Sequence, residues 1–196
     1  MIEEVSCIRF KPQTEVHHKD FIEFVHSRGC YSFVGRSGDG KQEIFLRSEC
    51  AQAGTHVIAH QVIYHQDVPK VNVFLLRLFK CLSFKIFHTL GFYHEHQRPD
   101  RDQYIKINWN EIPQSLETHF LKMDERFLGE NFLSEYDFES IMHYDSYLSG
   151  AFFQPAMNKL DGTVIEVNKK LSDLDIVSLN KLYPCKNSCE NENNQS

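Results

Sequence analysis

The chain lacks three features that mark common functional classes. It has 21 lysines and arginines against 27 aspartates and glutamates, a net charge of −6. This excludes the basic footprint of a nucleic-acid-binding protein and argues against binding to an anionic membrane. Its six cysteines form no CxxC pair, so neither a cysteine zinc cluster nor a thioredoxin-type site is indicated. Its longest apolar stretch, residues 71–87, is interrupted by Arg77, Lys80 and Lys85, so we do not expect it to span a membrane.

What the chain does contain suits one globular domain. Its 196 residues are 41% apolar and 24% charged, which is ordinary for a soluble protein with a core. An even number of cysteines permits disulfides and an oxidising compartment. The eleven histidines make a metal site worth testing. The first ten residues are acidic and contain no long apolar stretch, so we expect no signal peptide in the chain as printed.

Periodicity predicts strands in the first quarter of the chain and helices later. Alternating apolar residues indicate strands at 5–12 and 21–27. Two further strands are expected on either side of a turn at 37–40, whose glycines suit positive φ. Helices are predicted from about residue 53 and over 86–91.

The second half of the chain predicts a strand, a turn and a final helix. The strand lies within 101–112 and the turn at 136–147, and Ser172 or Asp173 is the expected N-cap of the helix. The residues expected on its apolar face are Leu174, Ile176, Val177, Leu179 and Leu182. The order of elements indicates an α+β fold.

Two histidines six residues apart suggest a metal site. If a helix carrying His88 ends at Gly91, the chain can turn back and bring His94 to the same ion. A third ligand on that helix would lie four residues before His88, since residues i and i+4 share a face. That position holds Phe84, which cannot bind zinc, and the adjacent Lys85 cannot replace a carboxylate base.

Removing the block 62–85 produces a complete motif. His60 then lies four residues before His88, and Gln61 stands beside it, which gives H-Q-x-x-H-x-x-G-x-x-H. This differs at one position from the metzincin pattern H-E-x-x-H-x-x-G-x-x-H. His56 and His65 are weaker alternatives to His60.

Several segments in order resemble the astacin family of secreted zinc endopeptidases, which are metzincins. FHTLGFYHEHQRPDRDQYIKINW is similar to the family's active-site helix and loop, and SIMHY at 140–144 is similar to its Met-turn. CIRF, GCYSFVGRSGDGKQEIFL and LSDLDIVSLNKLYPC also resemble the family. The resemblance covers residues 2 to 185 except 62–85. It implies an N-terminal sheet with the active-site helix and a C-terminal subdomain with the Met-turn and terminal helix.

The resemblance also implies roles for individual residues. The expected zinc ligands are His60, His88 and His94, with Tyr144 as a further, switchable ligand. Met142 would form the apolar floor below the metal, and Glu95 would anchor the N-terminus of a matured enzyme. The expected disulfides are Cys7–Cys185 and Cys30–Cys50. Gln61 stands where the family has its catalytic glutamate, and it cannot accept a proton from zinc-bound water.

The implied organisation is an astacin-like peptidase domain at 1–186 followed by a polar tail or module stub at 187–196. The domain is expected to be incomplete at its N-terminus, because a strand and most of a helix normally come before this point. Residues 62–85 are expected to be a non-family insertion, either translated intron sequence or a real insertion. A real insertion would separate two ligands of one helix.

These residues leave three functional hypotheses open. The first is a secreted, zinc-dependent endopeptidase that cleaves protein or peptide substrates and acts as a monomer without nucleic-acid or membrane partners. The second is a catalytically inactive pseudoprotease that binds peptides, which Gln61 favours. The third is a product that does not fold.

Five other histidines are expected at the surface or in packing, namely His17, His18, His26, His119 and His143. His96 is expected to face solvent.

Overall fold

A computed structural model describes six segments of the chain, which are residues 2–10, 20–38, 40–47, 84–124, 135–148 and 152–185. The helix predicted from residue 53 lies outside the described residues. So does the block 62–85, except for Phe84 and Lys85.

The described residues mix helices with short strands, as predicted. The α-helices are Ile2–Val5, residues 84–89 (the site helix) and Asp173–Leu182 (the terminal helix). The strands are β1 Phe21–Ser27, β2 Tyr31–Ser32, β3 Lys41–Arg47, β4 Ile105–Ile107 and β5 Met157–Lys159. The 3-10 helices are Glu95–Gln97, Arg101–Gln103, Trp109–Glu111 and Gln114–Phe120.

The N-terminal sheet has the order β1-β3-β2. Strand β1 pairs with β3 in parallel, and β2 pairs with β3 in the antiparallel sense of the predicted hairpin. Alternate residues of β3 point to one face, where Ile44 and Leu46 are fully buried. On the other face Tyr31 stacks on Phe45 with ring centroids 4.2 Å apart. This sheet contacts the site helix through the half-buried Ile86.

The strand predicted at 5–12 is wrong over its described part. Ile2–Val5 is helical, and residues 6–10 form no strand. The Ser6 hydroxyl donates to the Ile2 carbonyl at 2.8 Å, and Asn180 of the terminal helix donates to the Val5 carbonyl at 2.7 Å. These contacts provide hydrogen-bond donors for the backbone carbonyls of this segment and hold it against the terminal helix. The alternation of apolar residues in the sequence does not reveal such contacts.

The terminal helix begins as predicted, with Ser172 as N-cap. The Ser172 hydroxyl accepts from the Asp175 backbone N–H, and the Asp175 carboxylate accepts from the Ser172 backbone N–H, so both halves of a capping box are present. The apolar face was predicted wrongly at Val177, which is 59% exposed, whereas Leu179 is fully buried. The inward face carries Asp175 instead, because its carboxylate has hydrogen-bond donors to meet there.

One core cluster brings the chain's distant segments together around the site. It joins the N-terminal helix, the site helix, residues 140–144 (the Met-turn) and the terminal helix. Its buried members are Ile2, Phe84, Phe87, Ile141, Met142, Leu171 and Leu179. A second cluster packs the antiparallel pair β4–β5 against Phe120 and Tyr136. None of the described helices is long and apolar enough to cross a membrane.

Candidate metal centre

The chain reverses direction immediately after the site helix. Gly91 has φ +99°, and its N–H donates to the His88 carbonyl at 2.8 Å. The next N–H, of Phe92, donates to the Phe87 carbonyl at 3.0 Å. Only a glycine adopts this φ without strain, so it ends the helix and sends the chain back past it, as the sequence predicted.

This turn brings the side chains of His88 and His94 together. Their Nε2 atoms lie 3.2 Å apart. The His88 Nδ1 lies 2.8 Å from the carbonyl oxygen of Phe92, and the His94 Nδ1 lies 3.3 Å from that of Met142. Because a carbonyl only accepts, each Nδ1 carries the hydrogen, which leaves a bare Nε2 on each ring.

Burial keeps both imidazoles neutral. Burial and, to a smaller extent, the nearby charge of Lys85 together lower the pKa of His88 to about 4. The pKa of His94 lies well below its usual value, mainly because of burial. Two unprotonated nitrogens that face each other repel unless a cation lies between them. Two ligand nitrogens, each about 2.0–2.1 Å from one tetrahedral zinc ion, are separated by roughly 3.3 Å. The distance between the two Nε2 atoms therefore suits two ligands of the same ion.

Phe84 lies at the position, four residues before His88, where the sequence predicts a third ligand. It lies one turn before His88 on the site helix, and its ring centroid is 4.8 Å from that of His94 and 5.7 Å from that of His88. No group of three His, Cys, Asp or Glu side chains able to hold a metal occurs within the described segments. The predicted ligand His60 and the base position Gln61 lie outside them, as do the alternatives His56 and His65.

Tyr144 borders the histidine pair. Its ring centroid lies 4.4 Å from that of His94, and the ring stacks on His96 at 4.3 Å with an interplanar angle of 24°. Burial raises the pKa of Tyr144 to about 12. The phenol therefore keeps its proton at neutral pH when no metal is bound.

Met142 contributes both its side chain and its carbonyl to the site. The side chain is buried in the core cluster next to the site helix. The carbonyl oxygen accepts from the Glu95 backbone N–H at 3.1 Å and faces the His94 Nδ1. A backbone carbonyl that orients a histidine leaves no signal in the sequence. The family resemblance therefore implied only that the Met142 side chain forms an apolar floor.

Glu95 is paired within the described part of the chain. One of its oxygens accepts from Arg98 at 2.8 Å and from the Asp137 backbone N–H at 2.9 Å. Burial raises the pKa of Glu95 to about 7, although the charge of Arg98 and the hydrogen bond from the Asp137 N–H act in the opposite direction. Its predicted partner, an N-terminal amine, lies outside the described residues.

Comparison with known proteins identifies the family. The profile described as Astacin, a family of peptidases, matches residues 1–68 and 78–184. The chain belongs to the astacin family. The unmatched residues 69–77 fall inside the predicted insertion 62–85, and the match includes the remaining residues of that block.

Two curated relatives support this assignment for most of the astacin domain. The zinc metalloproteinase nas-6 of Caenorhabditis elegans is 37% identical over 190 residues, which cover 92% of this chain and 45% of the relative. The astacin-like metalloendopeptidase of Mus musculus is 33% identical over 190 residues, 95% of this chain and 36% of the relative. The chain therefore spans less than half the length of these two relatives.

A solved structure confirms the α+β, astacin-like fold. High choriolytic enzyme 1, a hatching-enzyme zinc protease from the fish Oryzias latipes, superposes with a TM-score of 0.69 at 28% identity. The match covers 94% of this chain and 78% of that chain. Family membership thus assigns the domain to the metalloendopeptidases by resemblance.

The expectation that His96 faces solvent is wrong. Its side chain in the astacin domain is fully buried, with Nε2 2.9 Å from the His119 carbonyl. Its Nδ1 has no hydrogen-bond partner among the described residues. Burial lowers its pKa well below the usual value. The 3-10 turn Glu95–Gln97 directs this side chain inward, and one turn is too short to show a hydrophobic period.

The structure joins Cys7 and Cys185 by a disulfide, which is the pairing that the resemblance implied. It connects the segment after the N-terminal helix with the end of the terminal helix. Cys30 is half-buried and immediately precedes the β2 strand, and Cys50 lies outside the described residues. The Cys30–Cys50 pair therefore stays a prediction.

Proposed function

We propose that this astacin domain is the catalytic part of a zinc-dependent endopeptidase in which His60, His88 and His94 hold the metal. The observation that carries the proposal is the 3.2 Å approach of the His88 and His94 Nε2 atoms, with both Nδ1 atoms on backbone carbonyls. Outer hydrogen bonds of this kind select the tautomer that binds metal. His60 would complete the set where the block 62–85 is absent.

The chemistry divides between the ion and the chain. A zinc ion held by three histidines supplies Lewis acidity towards a peptide carbonyl and a water molecule. His88 and His94 would hold and orient the ion, and Tyr144, protonated and beside His94, can donate a hydrogen bond to a substrate oxygen. Gln61 stands at the base position and cannot take a proton, so turnover is expected to fall by about 10²–10⁴-fold.

The proposed substrates are proteins or peptides, and the proposed location is extracellular. The family resemblance and the Cys7–Cys185 disulfide support this compartment, because disulfides persist in oxidising surroundings. The Oryzias latipes relative is named for choriolytic activity, and that activity is a property of the relative. For this chain we propose endopeptidase activity by a monomer, without a narrower substrate.

A second candidate function is peptide binding without cleavage. The observation that favours it is Phe84, whose ring lies against both histidines in the direction of a third ligand. A site with two histidines and a phenol would hold zinc weakly. The cleft around it could still bind a peptide.

The test compares the printed chain with a form lacking 62–85 and with the same form carrying Gln61→Glu. Zinc content after dialysis and cleavage of an unstructured protein, with and without a chelator, are measured for each. We expect zinc at one per chain only in the shortened forms, and chelator-sensitive cleavage that increases about 10²–10⁴-fold with Gln61→Glu.

The matched control is His94→Gln in the shortened Gln61→Glu form, which should lose zinc and activity together. Absence of both zinc and cleavage from every folded form would overturn the endopeptidase proposal. Stoichiometric zinc and peptide binding without cleavage in the Gln61→Glu form would favour the second candidate.

A further inference from the structure

The terminal helix holds the Met-turn through one buried carboxylate. Asp175 is 6% exposed, and one of its oxygens accepts from the Ser140 hydroxyl at 2.7 Å. The other accepts from the backbone N–H of Ile141 at 2.7 Å and of Ser172 at 3.0 Å. The first two donors come from the Met-turn, so Asp175 contributes more than a cap for its own helix.

The hydrogen bonds continue from Ser140 into the backbone of Met142. The Ser140 hydroxyl oxygen accepts from the Met142 N–H at 3.0 Å. A serine hydroxyl has one hydrogen, which it donates here to Asp175. A carboxylate offers no hydrogen in return, so the polarity of this link is determined, and the hydroxyl lone pair stays available to Met142.

The last contact reaches the metal centre. The Met142 carbonyl lies 3.3 Å from the His94 Nδ1 and also accepts from the Glu95 N–H at 3.1 Å. The orientation of the Met142 residue decides whether this carbonyl faces the imidazole. His88 does not depend on this arrangement, because its Nδ1 is bound by Phe92 in its own turn.

We propose that Asp175 is a positioning residue for His94. It acts through Ser140 and Met142 to keep the hydrogen of His94 on Nδ1 and the lone pair of Nε2 towards His88. The inference rests on the proposed zinc function for its purpose, whereas the contacts that carry it lie entirely within this chain. It gives the terminal helix a part in preparing the site.

The experiment measures the tautomer of His94 in the metal-free full chain labelled with ¹⁵N-histidine, by two-bond ¹H–¹⁵N correlation at neutral pH. Asp175→Asn keeps the shape but offers an amide N–H₂ where the Ser140 hydroxyl needs an acceptor. We expect the His94 signals to move from the pattern of a single Nδ1–H tautomer towards a mixture. His88 should not change and serves as the internal control.

Asp173→Asn is the matched control, because Asp173 is an exposed acid in the first turn of the same helix. It should leave His94 unchanged. Ser140→Ala removes only the hydroxyl and should shift His94 in the same direction, so the inference stays testable if Asp175→Asn does not fold. An unchanged His94 tautomer in the folded variants would overturn the inference.

Zinc affinity in the form lacking 62–85 separates this inference from the proposed function. Asp175→Asn should weaken zinc binding by about 10–100-fold relative to Asp173→Asn, the range for lost partners of a metal ligand. If the parent form binds no zinc, the proposed function fails while the tautomer measurement still decides the role of Asp175. Equal zinc affinities for the two variants would count against the inference.

Discussion

The ring centroid of Phe84 lies 4.8 Å from that of His94, although the end of a helix and a tight turn separate the two residues along the chain. Phe84 also shares a helix face with His88, one turn away, and touches Tyr144 at a centroid distance of 6.0 Å. A carbon ring therefore occupies the side of the histidine pair from which a third nitrogen would come. Because residue 84 is phenylalanine and not histidine, the site has two histidines instead of three.

We predict that Phe84→His in the printed chain creates a zinc site. The new imidazole would lie at i−4 of His88 and face the existing pair. Zinc affinity should increase by more than the roughly 10–100-fold that a lost outer partner costs. Calorimetric titration with zinc measures this, and Phe84→Leu is the control that changes the ring without adding a ligand. Equal affinities for the two variants would show that the helix does not present this position to the metal.

We predict that the metal-free protein loses stability as the pH falls from about 6.5 to about 4. Burial lowers the pKa values of His88, His94 and His96, with that of His88 at about 4. In this window the unfolded chain protonates the three histidines and the folded chain does not, so unfolding is favoured as pH falls. Glu95, whose pKa is raised by burial to about 7, acts in the opposite direction, but it is one group against three. Each histidine contributes up to about 1.4 kcal/mol per pH unit.

Urea unfolding at several pH values measures this dependence. His96→Phe removes one of the three groups and keeps His88 and His94, so the stability of the variant should vary less with pH in the same window. Identical pH dependence in the wild type and in the variant would show that His96 does not contribute.

We predict that His96→Phe lowers the free energy of unfolding by about 1 kcal/mol, the usual contribution of one hydrogen bond. The phenyl ring retains the stacking on Tyr144 and removes an unpartnered nitrogen. The His119 carbonyl keeps a second donor, since Gln97 Nε2 lies 3.2 Å away. His96→Ala should cost about 2–5 kcal/mol, because it leaves a cavity in a closed site. Equilibrium denaturation compares the two, and a larger loss for Phe than for Ala would contradict the stacking argument.

We predict that Cys7→Ser lowers the free energy of unfolding by about 2–5 kcal/mol. The disulfide closes a loop between residues 178 positions apart, so its loss releases a large unfolded-state entropy. Cys185→Ser and the double variant should behave alike, since each breaks the same bond. Thermal unfolding measures the effect, and an additive loss in the double variant would argue against a shared disulfide.

The family, the histidine pair and the terminal helix could be predicted from the sequence for a local reason. The spacing of His88, Gly91 and His94 specifies a helix end and a return of the chain within seven residues. Ser172 at the start of the terminal helix is a similarly local signal. Interactions over short distances along the chain leave patterns in residue type and spacing.

The burial of His96, the Asp175–Ser140 contact and the Met142 carbonyl at His94 were decided by the tertiary structure alone. Asp175 and Ser140 are 35 residues apart, and Met142 and His94 are 48 apart. No periodicity connects such pairs, because their approach depends on how several elements pack into one core. The sequence predicts the metal-binding residues and the place where the chain turns. The packing decided how their nitrogens are oriented and that Phe84 faces them, since orientation depends on all the neighbours of a side chain.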